Sequence, residues 1–173
     1  PNSGTAETRS TFAFPQSGKW YFEVEAVSGA SVGYVYIGDG APNVANAVVY
    51  YGYNGNKRID GTFSSYGSSW SNGDIIGVAV NVDDGEVNFY LNNVDQGTIS
   101  YTIIGKTLFP SISDGSSTSG WTANVNFGQL GFTYTPPSGY LALSEDNITV
   151  DETNLESPDL VWIKNRDTTD KHH

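Results

Sequence analysis

From residue 19 the chain reads KWYFEVEAV, and the alternation is that of a half-buried strand. Trp20, Phe22, Val24 and Ala26 fall on one side, with Tyr21, Glu23 and Glu25 on the other. The turn SGA and the apolar stretch SVGYVYIG at 31–38 follow, and the two runs read as a hairpin. An aromatic-rich strand is expected over 47–55, ending at an Asn-Gly turn. Residues 57–70 show little periodicity and predict a short strand followed by a long surface loop. In GDIIGVAVNVDDGEVNFYLNNVDQG (73–97), Ile76, Val78, Val80 and Val82 line one face, and Gly77, Ala79 and Asn81 the other. After DDGE, Val87, Phe89 and Leu91 alternate with Asn88, Tyr90 and Asn92. A second turn at Asn92-Asn93 and the strand VDQGTIS complete a three-stranded meander. Strands at 107–113 and 122–128 bracket the loop DGSSTSG.

No helix is convincing; the best candidate, 155–160, is interrupted by Pro158. Short strands separated by Gly and Asn turns predict an all-β fold, an antiparallel two-sheet β-sandwich. The expected domain spans 1–143. After Leu143 the character changes: SEDNITVDETNLESPD (144–159) holds six acids in sixteen residues and reads as an acidic linker. LVWIKNR (160–166) then reads as a strand whose partner lies outside this chain, so 144–173 is a short C-terminal extension. Both ends look cut from something longer.

Charge narrows the function. The formal net charge is −11, and the eight basic residues are scattered, with only Lys57 and Arg58 adjacent. That pattern argues against nucleic acid as a partner. The chain has no cysteine, so neither a disulfide framework nor thiolate chemistry is available. No apolar run approaches the roughly 18 residues of a membrane span, and no signal peptide is visible.

Candidate chemistry is sparse. Asp83, Asp84 and Glu86 crowd one turn, but they have neither the ligand spacing nor the flanking helices of a calcium loop, and they read as a hairpin corner. Glu23 and Glu25 stand two apart on one strand face, as a glycosidase pair could. FEVEAV lacks the Glu-x-Asp-x-x-Glu order of concanavalin-like glucanases, so a solvated or partnered strand face is expected instead. The only histidines are His172 and His173, which leaves no base for a nucleophile triad and no zinc cluster. The expectation is a protein without enzymatic activity, metal or cofactor. Aromatic residues near polar loops are the better prospect: Tyr51, Tyr53, Tyr66 and Trp121 are the candidate binding residues, because Tyr and Trp anchor interfaces and stack on sugars. Trp70 precedes a core strand and is expected to be buried. Asn147-Ile148-Thr149 matches a glycosylation sequon by pattern alone.

The order of motifs resembles the SPRY domain, a sandwich of the concanavalin-like jelly-roll type. The resemblance rests on SGKWYFEVE (17–25), the 73–97 stretch, LFPSIS (108–113), VNFGQ (125–129) and FTYTPPSGYLAL (132–143). It implies core positions for Trp20 and Phe22 and a structural role for the Glu23 strand. YNGNKRIDGTFSSYGSSWSNGD (53–74) and PDLVWIKNRDTTDKHH (158–173) are similar to tailed-phage tail-fibre and virion proteins. That narrower resemblance implies a structural or adhesion module of a virion, in a tail fibre, tail tip or appendage. Its partners would be other virion subunits or a host-surface glycan or protein, and its state a homotrimer. The alternatives are a glycan-binding, lectin-like module of a secreted or surface protein, and an intracellular peptide-binding SPRY adaptor.

Overall fold

The computed structural model describes residues 7–43, 45–115, 120–144 and 146–148. Six strands form one layer, sheet A: β1 (Glu7–Arg9), β3 (Gly33–Gly38), β4 (Ala47–Tyr51), β5 (Lys57–Ile59), β6 (Thr62–Ser64) and β10 (Phe109–Asp114). Their order is β1-β10-β3-β4-β5-β6. Sheet B has the order β11-β2-β7-β8-β9, from β2 (Lys19–Ser28), β7 (Ile75–Asn81), β8 (Glu86–Leu91), β9 (Val94–Ser100) and β11 (Thr122–Asn126). A two-residue strand, β12 (Leu141–Ala142), pairs in parallel with the start of β2; the other pairings are antiparallel. The all-β antiparallel sandwich expected from the alternation is what forms.

The expected hairpin between 19–27 and 31–38 does not form. β2 belongs to sheet B and β3 to sheet A. Gly29, at φ 69°, and a 3-10 turn over Ala30–Val32 carry the chain from one layer to the other. The apolar sides of the two strands therefore face each other across the core instead of lying side by side. Residues 57–70 also differ from expectation, forming two short strands, β5 and β6, before the loop. The stretches 155–160 and 160–166, and most of the acidic segment, lie outside the described residues.

The core lies between the layers. Trp20, Phe22, Val24 and Ala26 of β2 and Ile76, Val78 and Val80 of β7 meet Val35 and Ile37 of β3 and Val48 and Tyr50 of β4, all buried. Burying one such side chain contributes about 1.5–3 kcal/mol, so the alternation in these strands dictates the layering. Leu143 is buried, and Ile148 packs against the same core, so the packing continues past residue 143. The loop from Ser65 to Trp70 seals one flank. There the Tyr66 hydroxyl donates to the Gly97 carbonyl (2.5 Å) and accepts from the Phe89 amide (3.2 Å).

The acidic corner is structural. Asp83 accepts from the Gly18 amide at 2.9 Å, and Asp84 accepts from Asn81 Nδ2 at 2.6 Å. Gly85 turns the chain at φ 66°. Among the described residues no group of three metal-ligating side chains comes together.

Candidate functional site

Strand parity builds an aromatic groove on the outer face of sheet A. Val35 and Ile37 point into the core, so Tyr34 and Tyr36 of the same strand point out. In β4, Val48 and Tyr50 point in while Val49 and Tyr51 point out. Register then pairs Tyr34 with Tyr51, with ring centroids 4.2 Å apart. Phe63 of β6 continues the row, 4.9 Å from Tyr51, and the Arg58 guanidinium stacks 4.8 Å above the Phe63 ring. Tyr53, just beyond β4, is 75% exposed and Phe63 53%. With Ser31, Val32, Asn54 and Gly115 these residues line a groove of about 340 Å³.

Two features fix its shape. The Gly115 amide donates to the Val32 carbonyl at 2.7 Å, and a Cβ at Gly115 would collide with the Tyr34 hydroxyl. A larger residue there would require the Tyr34 ring to shift. Burial also raises the pKa of Tyr34, with the nearby Tyr51 adding to the effect. Tyr51 is raised by burial too, partly offset by Arg58. Both shifts keep the hydroxyls in the neutral O–H form to higher pH than a free tyrosine.

Of the residues singled out from sequence, the groove brings together Tyr51 and Tyr53. Trp121 sits apart from it, half-buried, with its ring centroid 5.4 Å from that of Trp70. Trp70 is buried, as its place before β7 implied. Tyr66 faces inward, against Tyr50 and Phe89, with its hydroxyl bonded on both sides. Tyr34, Phe63 and Arg58 were not anticipated. The signal for Tyr34 was present in GYVYIG, since inward Val35 and Ile37 require outward tyrosines.

The carboxylate pair on β2 has a different task. Glu23 is 2% exposed. Its oxygens accept from the backbone amides of Thr133 (2.8 Å) and Tyr134 (2.9 Å) and from the Tyr21 hydroxyl (3.1 Å). Glu25 accepts from Asn124 Nδ2 at 2.9 Å. Enclosed and hydrogen-bonded on both oxygens, Glu23 clamps the 127–134 segment over sheet B.

The chain is similar to several proteins of known name. Ran-binding protein 9 of Xenopus tropicalis is 33% identical over 140 residues, covering 75% of this chain and 25% of that protein. The human Ran-binding protein 9 is 32% identical over 140 residues, 19% of its length, and the Drosophila melanogaster Ran-binding proteins 9/10 homolog 31% over 144 residues, 15% of its length. The chain thus spans a quarter or less of these curated relatives. Among solved structures, the SPRY domain of human HERC1 superposes with a TM-score of 0.62 at 17% identity, covering 71% of this chain and 82% of that one. A human SPRY domain gives a TM-score of 0.58 at 19% identity, with 73% and 87% covered. The SPRY domain family model matches residues 19–130. Fold, motif order and relatives agree, and the chain belongs to the SPRY domain family.

Proposed function

We propose that this chain is a non-enzymatic interaction module that receives a polypeptide segment in the Tyr34–Tyr51–Tyr53–Phe63 groove. SPRY domains are protein-interaction modules, which supports the class of function. The observation that carries the placement is the exposed row of Tyr53 and Phe63 beside Arg58, since Tyr and Arg dominate interface hot spots. Neutral tyrosine hydroxyls suit the backbone carbonyls of a bound segment, and the rings suit its side chains.

The finer reading places the module in a phage virion, within a tail fibre, tail tip or appendage, as a homotrimer that contacts neighbouring subunits or the host surface. Its support is a resemblance read from the sequence alone, at 53–74 and 158–173, to tailed-phage virion proteins. The relatives found by comparison are animal proteins, and they speak for the domain rather than for the particle. Repeated copies on a fibre would turn modest single contacts into avid binding.

Photo-cross-linking from position 53 tests the groove, with the exposed Val94 position as the control. A defined polypeptide joined through position 53, and lost on Phe63→Ala, is the expected result. Cross-links to carbohydrate alone would replace this reading with a lectin-like one. Antibody labelling of native particles tests the virion reading separately, and unlabelled particles would remove it.

A further inference from the structure

A second surface lies on the opposite layer. On the outer face of sheet B, Glu25 of β2 pairs in register with Asn124 of the edge strand β11 and with Ile75 of β7. The segment 127–134, held down by Glu23, rises beside them as a wall. Between wall and strands runs a groove of about 860 Å³, lined among others by Glu25, Ile75, Asn124, Gln129, Leu130 and Tyr134.

Three features define what fits it. First, its charge is negative: Glu23 and Glu25 line it, and among the described residues no lysine or arginine does. The described cation on β2, Lys19, instead lies 3.7 Å from Asp84. It is six residues from Glu25, about 20 Å along a strand and well beyond the ~8 Å screening length of physiological salt. Second, Leu130 stands on the rim at 87% exposure, and the loop carrying it is fixed. Asn126 Nδ2 donates to the Gly131 carbonyl (2.7 Å), the Gly128 amide to Asn126 Oδ1 (2.9 Å), and the Gly131 amide to the Gly128 carbonyl (3.0 Å). Third, the groove follows Ala123, Asn124, Val125 and Asn126 of β11, which pairs on one side only among the described residues. Its free edge offers main-chain donors and acceptors to an added strand.

We propose that this groove is a second docking surface, for an extended segment of a partner protein that sets a lysine or arginine on Glu25 and an aliphatic side chain against Leu130 and Ile75. The surface is on the other sheet from the aromatic groove and stands or falls independently of it. A module with both would bridge two polypeptides.

The test is fluorescence anisotropy of the full chain with labelled acetyl-LRLRLR-amide at about 0.15 M salt, with acetyl-LELELE-amide as the control. The basic peptide is expected to bind, and at least tenfold more weakly to Glu25→Gln and to Leu130→Ser. Asp84→Asn, at the far corner, is expected to leave binding unchanged. Leu130 is exposed, so its variant reports on the groove without a change in folding. Equal affinity in E25Q and wild type overturns the proposal, as does equal weakening by D84N, which would mean diffuse charge attraction. Binding that appears only after removal of residues 149–173 would overturn it too, because the groove would then be occupied by the chain's own tail.

Discussion

The Glu23 carboxylate accepts the backbone amide of Tyr134 at 2.9 Å, joining positions 111 residues apart. With the Thr133 amide and the Tyr21 hydroxyl it closes a buried clamp between β2 and the segment that walls the outer face of sheet B. Glu23→Gln keeps the size but turns an N–H₂ toward backbone N–H groups. The expected loss is about 1–3 kcal/mol in urea unfolding, the range for a buried donor left without its charged acceptor. An unchanged midpoint would mean the clamp contributes nothing to stability.

Tyr66 joins two further parts of the chain through one oxygen, bonded to Gly97 and Phe89. Tyr66→Phe removes both bonds and is expected to destabilise by about 1–3 kcal/mol. Amide exchange at Phe89 and along the 65–70 loop is expected to rise first, and exchange rising uniformly over the molecule would contradict that local role.

Gly33 lies under the Trp70–Trp121 pair, where an added Cβ would stand 2.7 Å from the Trp121 ring and 2.8 Å from that of Trp70. Gly33→Ala is expected to cost about 1–3 kcal/mol through overpacking. It should also shift tryptophan emission to the red as the pair opens to water. A variant with unchanged stability and emission would show that Trp121 is free to move.

Alkaline pH is expected to unfold the protein cooperatively. Burial raises the pKa values of Tyr21, Tyr36, Tyr50, Tyr66 and Tyr101 well above the ordinary 10.0. Between that value and the raised folded ones, the folded state holds more protons than the unfolded state, so stability falls as pH rises. It is fully present below pH 10.0 and lost above it. Tyrosinate absorbance and far-ultraviolet circular dichroism should change together; tyrosinate appearing fully while the sheet signal persists would contradict this.

Much of this architecture was legible before any coordinates. In β2, β7 and β8 a strict two-residue period separates inward from outward side chains, and β8 pairs with both β7 and β9 in the expected meander, with a register shift against β9 between Asn88 and Tyr90. Periodicity is silent about which layer a strand joins, and so β2 and β3 read as a hairpin when they lie in facing sheets. Strands β1 and β12, at three and two residues, are too short to show a period and exist only through their partners. Tyr66 read as a loop aromatic because no local pattern records a hydroxyl bonded to a strand 31 positions away. Tyr34 lies on the outward side of a strand, where the alternation of GYVYIG marks its direction but not the Tyr51 ring it meets on the neighbouring strand.

Tyr53→Ala separates binding from folding. The side chain is 75% exposed, so stability should change by no more than about 0.5 kcal/mol. Affinity for the polypeptide captured at that position is expected to fall at least about tenfold, the signature of a hot-spot aromatic. Equal losses of stability and affinity would make Tyr53 a structural residue.

The most direct measurement is amide hydrogen exchange on the full chain, with and without the polypeptide captured at position 53. Binding in the aromatic groove predicts protection at residues 31–34, 53–54 and 63, with β8 and β9 unchanged. Protection confined to other surfaces, with residues 31–34 and 53–54 exchanging as in the free chain, would contradict the account.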